Sequence, residues 1–137
     1  MPKILVVDDI PAILDFSREF FEDAGFDVRT AETATAAIAA QREFKADLIL
    51  QDLNIPEGGG IFVYETLRAG QDMVPMIFST GKPEAIGNLA GMTNVSVLKK
   101  PTDPDVLMSE VRKHMTKSGE GQMNPPPPPP PPPPGNR

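Results

Sequence analysis

The sequence predicts an α/β domain built on one five-stranded parallel sheet with helices on both faces. Three observations carry that prediction. Apolar, β-branched runs alternate five times with segments of helical periodicity, the order that a helix-covered parallel sheet requires. The run Leu48 to Leu50 is apolar without alternation, as a strand buried on both faces should be. Most segments are bounded by a capping or turn residue of the kind that starts or stops the element it flanks.

Lys3 to Val7 reads as the first strand, closed by Asp8-Asp9. Pro11 suits the first turn of a helix, where its missing N–H is no loss. Ile13, Leu14, Phe20, Phe21 and Ala24 recur at helical spacing, and Gly25 follows as a C-terminal cap. Phe26 to Ala31 is the second strand. Thr33 or Thr35 caps a helix over Ala36 to Phe44, with Ala37, Ile38 and Gln41 on its inner face. Leu48 to Asp52 is the third strand. Pro56, Gly58, Gly59 and Gly60 turn the chain into a helix carrying Ile61, Tyr64 and Leu67 and ending near Gly70. Val74 to Thr80 and Val95 to Lys99 complete the strands. Asp103-Pro104 is an N-cap and first-turn pair for a last helix with Val106, Leu107, Val111 and Met115 as its apolar stripe. The fourth helix, due between Lys82 and Thr93, contains Pro83, Gly87 and Gly91. Each interior glycine costs about 1 kcal/mol relative to alanine, so that helix is expected to be short or frayed.

Composition narrows the function classes. The chain has 137 residues, but the unbroken run Pro125 to Pro134 cannot enter a helix interior or a central strand. About 120 residues remain, enough for one core and too few for two. The expected division is a folded domain over 1–117, a polar linker over 118–124 and a polyproline tail over 125–137. No cysteine is present, which removes disulfides and thiolate metal sites. The N-terminal apolar run is too short for a signal peptide, and no stretch approaches the roughly 20 apolar residues of a membrane span. The expected compartment is therefore the cytosol. A net charge of −6 argues against a nucleic-acid surface.

In a parallel sheet every strand ends on the same edge, where ligands collect in open α/β folds. Asp8 and Asp9 end the first strand, Asp52 the third, Ser79 and Thr80 the fourth, and Lys100 the fifth. Three carboxylates crowded on one rim repel one another unless something compensates. A divalent cation does so. All-oxygen ligands with room for water favour Mg²⁺ over Ca²⁺, with Mn²⁺ as the substitute. A metal beside Asp52 draws a phosphate, and Lys100 with a strand-four hydroxyl can hold its other oxygens. The chemistry suggested is phosphoryl transfer to the Asp52 carboxylate.

These residues together resemble the receiver domain of two-component response regulators. The likeness rests on Asp8-Asp9, on Asp52 with Pro56 and Gly60 after it, on Thr80 five residues past Pro75, and on Lys100-Pro101, and it covers roughly residues 3–117. It implies a flavodoxin-like (βα)5 fold with strand order 2-1-3-4-5. It implies Asp52 as phospho-acceptor, Asp9 as direct Mg²⁺ ligand, Asp8 reaching the metal through water, and Asn54 offering its backbone carbonyl. Thr80 corresponds to the switch hydroxyl and Lys100 to the phosphoryl-pairing ammonium. Pro101 is implied to follow a cis bond, and Gly81 to leave the donor a way in. The implied partner is a sensor histidine kinase or a histidine phosphotransfer protein, with output through another protein.

The sequence departs from the family at Val97, three residues before Lys100, where the family usually carries Tyr or Phe. Coupling from Thr80 to the outer face of strand five is therefore expected to be altered or absent. His114, in the last turn of the last helix, reads as a cation complementing the helix dipole, and any donor histidine is expected on another protein. The proline run, about 31 Å long as a polyproline II rod, reads as a stiff spacer, as a ligand for a polyproline-binding partner, or as an artefact of expression. Two further classes compete with the phospho-acceptor. One is a phosphorylation-independent interaction module tethered through its proline-rich tail. The other is an aspartyl-phosphate phosphohydrolase, which commonly needs an acid/base Asp where this chain has Asn54.

Overall fold

The computed structural model describes residues 2–86 and 91–118. The proline tail, the linker beyond Ser118 and the middle of the expected fourth helix lie outside the described residues. The strands are β1 (Lys3–Val7), β2 (Asp27–Ala31), β3 (Leu48–Asp52), β4 (Met76–Thr80) and β5 (Val95–Lys99). All pairings are parallel, and the sheet order is β2-β1-β3-β4-β5, as the resemblance implied. The helices are α1 (Pro11–Asp23), α2 (Ala34–Phe44), α3 (Gly59–Ala69) and α4 (Pro104–Ser118).

The pleat divides the apolar side chains between two layers. Leu5, Val7, Ile49, Met76 and Phe78 point to the face covered by α2 and α3, where they meet Ala37, Ile38, Val63 and Leu67. Ile4, Val6, Leu48, Leu50 and Ile77 point to the other, where Leu14 and Phe21 of α1 and Val111 of α4 close the layer. This is why the central strands carry runs of consecutive apolar residues rather than one at every second position. Phe21 takes edge-on contacts from Phe20 and Phe26 at centroid distances of 5.1 and 5.5 Å, the geometry aromatic rings prefer.

Local chemistry explains the boundaries. Pro11 opens α1, and Gly25 follows its end at φ +95°, where a side chain would be strained. Thr33, rather than Thr35, caps α2 by accepting a hydrogen bond from Ala36 N at 3.0 Å, so the helix starts at Ala34, two residues earlier than expected. Asp103 accepts from Asp105 N at 2.7 Å and caps α4. Gly58 and Gly59, at φ +125° and +81°, make the turn into α3.

Several expectations need correction. Phe26 precedes β2, its amide donating to Phe21 O at the end of α1. Val74 and Pro75 lie before β4, although Pro75 O accepts from Ile49 N. Val106 is exposed, and α4 turns Leu107, Met108, Val111 and Met115 inward instead. Ala24 is exposed at the α1 C-cap. Where the fourth helix was expected, the described residues include a 3-10 turn over Pro83–Ile86, in keeping with Pro83 there. His114 makes contacts that the dipole reading did not foresee. It is buried, with Nε2 2.6 Å from Ser96 Oγ, and Ser96 in turn donates to Glu110 Oε2 at 2.5 Å. No helix among the described residues is long and apolar enough to cross a membrane.

Candidate functional site

The C-terminal ends of β1, β3 and β5 bring four charged side chains to one rim. Asp8 follows β1 directly and is 3% exposed; its Oδ1 accepts from Ile10 N at 3.0 Å, so the carboxylate fastens the turn into α1. Asp9, next in the chain, is exposed. Asp52, the last residue of β3, is 7% exposed. One carboxylate oxygen from each of the three lies within 4.8 Å of the others. Lys100, just past β5, reaches across β4, donating to Asp8 Oδ2 at 3.1 Å and to Asp52 Oδ1 at 3.2 Å.

The backbone holds Lys100 in place. Its N–H donates to Thr80 O at 2.8 Å, and the Lys100–Pro101 bond is cis. The charges act on one another. Burial raises the Asp52 carboxyl above its usual value, and Asp8 raises it further, while Lys100 pulls the other way. Burial would lower Lys100, but its bond to Asp8 and the charges of Asp52 and Asp8 outweigh it and leave the ammonium more basic than usual. Lys100 can neutralise only one of three carboxylates. Three hard oxygen donors, one on an open rim, fit a small divalent cation; hydration of the open side would suit Mg²⁺.

The remaining residues singled out by sequence are placed less centrally. Thr80 ends β4 and is 2% exposed; its Oγ1 accepts from Lys82 N at 3.0 Å. Ser79, beside Asp52 in the register, is only partly buried. Asn54 is exposed, two residues beyond β3. A Cβ added at Gly81 would meet no atom within 4 Å, so packing does not require glycine there. Val97 packs on the layer under α2 and α3, partly buried.

Two groups were not legible from the sequence alone, one beside the rim and one at the opposite edge of the sheet. Gln51, the penultimate residue of β3, is completely buried and donates from Nε2 to Asp52 O at 2.9 Å. A glutamine interrupting an apolar strand was the signal for it. Tyr64 on α3 packs edge-on against Phe78, and its hydroxyl accepts from Thr93 N at 2.9 Å. Arg68 stacks over the Tyr64 ring and donates to Thr93 O at 2.8 Å. This bracket ties α3 to the segment before β5, and no local pattern announces it.

Comparison with known proteins agrees with this geometry. The family model for the response regulator receiver domain matches residues 4–112. The DNA-binding response regulator MtrA of Mycolicibacterium smegmatis is 31% identical over 118 residues, which is 85% of this chain and 51% of that protein. The alkaline phosphatase synthesis transcriptional regulatory protein PhoP of Bacillus subtilis is also 31% identical over 118 residues, 85% of this chain and 49% of its own. The chain thus spans about half the length of the curated relatives it matches. Among solved structures, the chemotaxis protein CheY4 of Vibrio cholerae superposes with a TM-score of 0.75 at 26% identity, over 82% of this chain and 98% of that one. The receiver domain of the Francisella response regulator 1452 gives 0.77 at 27% identity, over 86% and 99%. With three acidic side chains and a lysine meeting at the strand ends of a 2-1-3-4-5 sheet, the chain belongs to the family of response regulator receiver domains.

Proposed function

We propose that Asp52 accepts a phosphoryl group in a Mg²⁺-dependent reaction, and that the domain signals through phosphorylation-dependent binding of another protein. The observation that carries the reading is the Lys100 ammonium lying on both Asp8 and Asp52, with the Asp9 carboxylate open beside them. Asp9 and Asp52 would hold the ion directly, Asp8 through water, and Asn54 through its backbone carbonyl. The bound ion would neutralise charge on the transferring phosphoryl group.

The chain's own residues do the rest. An Asp52 carboxylate oxygen attacks phosphorus, the bond from phosphorus to the donor breaks, and the donor keeps its electron pair. Lys100 leaves the bare carboxylate to pair with a phosphoryl oxygen, so its ion pair in the resting site keeps the cation in place. Thr80 supplies a hydroxyl to another oxygen, and Gly81 leaves the approach open. The donor is a phosphohistidine of a sensor histidine kinase or phosphotransfer protein, which sets the site in the cytoplasm. Hydrolysis of the acyl phosphate resets the domain; it is not a turnover enzyme on a separate substrate. Asn54 cannot act as the acid/base that a phosphohydrolase needs. DNA binding, named for the longer relatives, is not assigned to this chain.

A second reading, a receiver-like module that binds independently of phosphate, draws on Val97 and on the helix-poor sequence between Lys82 and Thr93, with Pro83, Gly87 and Gly91. The proline tail would then act as tether or as ligand for a polyproline-binding partner. The two readings separate when the protein is mixed with Mg²⁺ and acetyl phosphate. The phospho-acceptor gains the mass of one phosphoryl group, and Asp52→Asn gains none. Equal masses before and after in the wild type exclude the first reading.

A further inference from the structure

Gln51 is the one residue of β3 whose chemistry the strand does not need. Its neighbours in register are Val7 on β1 and Phe78 on β4, both in the apolar layer under α2 and α3. Its side chain is wholly buried there. Nε2 donates to Asp52 O, but Oε1 has no hydrogen-bond partner. A buried acceptor without a partner destabilises the fold, and a leucine or methionine of similar length would fill the space without that loss. Stability therefore gives no reason for a glutamine.

Its placement does. The bond from Nε2 fixes the carbonyl of Asp52, the peptide from which the nucleophilic carboxylate projects. On the same oxygen lies Gly60, in the first turn of α3. A Cβ added there would come within 2.6 Å of Asp52 O and 3.1 Å of Gln51 Cγ. The oxygen is thus hydrogen-bonded from one side and closely packed from the other. The carboxylate itself stands on the opposite face of the sheet, towards Asp8 and Lys100. Turning the Asp52 peptide would swing that carboxylate relative to both.

Resting on the phospho-acceptor reading, we propose that Gln51 is a positioning residue for phosphoryl transfer, locking the Asp52 peptide so that its carboxylate points at the rim. The bond sacrifices some stability for aim.

The test compares Gln51→Leu and Gln51→Met with the wild type and with Ile49→Val, a packing control on the same face of β3. Each is measured for Tm without divalent ion and for the rate of phosphorylation as acetyl phosphate is raised to saturation in Mg²⁺. The Gln51 variants are expected to keep or raise Tm. Their saturating rate falls about tenfold or more, as misplaced reacting groups require, while the half-saturating acetyl phosphate concentration stays the same. Ile49→Val lowers Tm and leaves the saturating rate unchanged. A Gln51 variant as fast as the wild type overturns the proposal, and so does a rate loss that comes with a lowered Tm in both Gln51 variants. A wild type that takes up no phosphoryl group overturns the phospho-acceptor reading and this one with it, which distinguishes the two failures.

Discussion

Replacing Lys100 by methionine removes an ammonium and keeps most of the side chain's apolar length. Nζ lies 3.1 Å from Asp8 Oδ2 and 3.2 Å from Asp52 Oδ1. At an effective dielectric of about 20, each contact is worth roughly 5 kcal/mol of Coulomb attraction. Desolvation of the three groups offsets much of this. Removing one member of a buried ion pair costs about 3–5 kcal/mol, and Lys100 keeps 29% of its side chain exposed, which brings the expected loss to about 2–4 kcal/mol. For a domain of this size that is about 8–16 °C in Tm, measured by circular dichroism near neutral pH, at low salt and without divalent ions. The sign can be checked in two ways. Added Mg²⁺ should return much of the loss, because it supplies the missing positive charge. Acidification should shrink it too. Asp52 already titrates above its usual 3.8, and without Lys100 it rises further, so its carboxylate is protonated early as pH falls. A deficit that stays constant with pH and with Mg²⁺ would show that packing, not charge, had been removed.

Asp9→Asn should leave the unfolding free energy within about 0.5 kcal/mol of wild type, as for an exposed side chain, yet weaken Mg²⁺ binding about tenfold or more by calorimetry; unchanged affinity would place the ion elsewhere. Gly60→Ala should cost about 1–3 kcal/mol in urea denaturation, the range for forcing extra volume into a packed site, because its Cβ would sit 2.6 Å from Asp52 O. Glu110→Gln tests the Ser96 contact. The hydrogen bond from Ser96 holds Glu110 below its ordinary 4.5 despite partial burial, with Lys113 and His114 adding to the effect. A depressed carboxyl stabilises the fold above its unfolded value and loses that contribution as pH falls through the folded one. The wild type should therefore exceed Glu110→Gln by about 1 kcal/mol near neutrality, and the gap should close as pH falls through the depressed folded value. A gap that persists in acid would rule out the carboxylate as its source.

The fold was legible because it depends on order. Alternating strand and helix signals require a parallel sheet, and a parallel sheet puts Asp8, Asp52, Thr80 and Lys100 on one edge whatever the packing details. β3 and β5 could be bounded to the residue, since Asp52-Leu53-Asn54 and Lys100-Pro101 break their apolar runs sharply. What escaped depends on contacts between distant segments. Val106 and Leu107 are equally apolar neighbours, and only the docking of α4 decides that Leu107 turns inward. His114 read only as a helix-end cation, because nothing local says that Ser96 will stand opposite it. The Tyr64 bracket joins α3 to Thr93 through a backbone amide, which has no sequence signature. Gln51 was visible as an oddity, but its partner is a carbonyl, and carbonyls are everywhere.

Lys100 and Asp8 are 92 residues apart in the chain, and that distance matters while the protein is being made. A domain folds as a unit, and its N-terminal residues leave the ribosome first. The acidic residues emerge with β1 and β3, while the lysine that joins them comes only with the last strand. Until β5 pairs with β4, the nascent domain holds its carboxylates without their ammonium. A chain stopped or cut between Thr80 and Val95 therefore carries Asp8 and Asp52 but not Lys100. The ion pair at the rim therefore forms only in a chain that extends through β5.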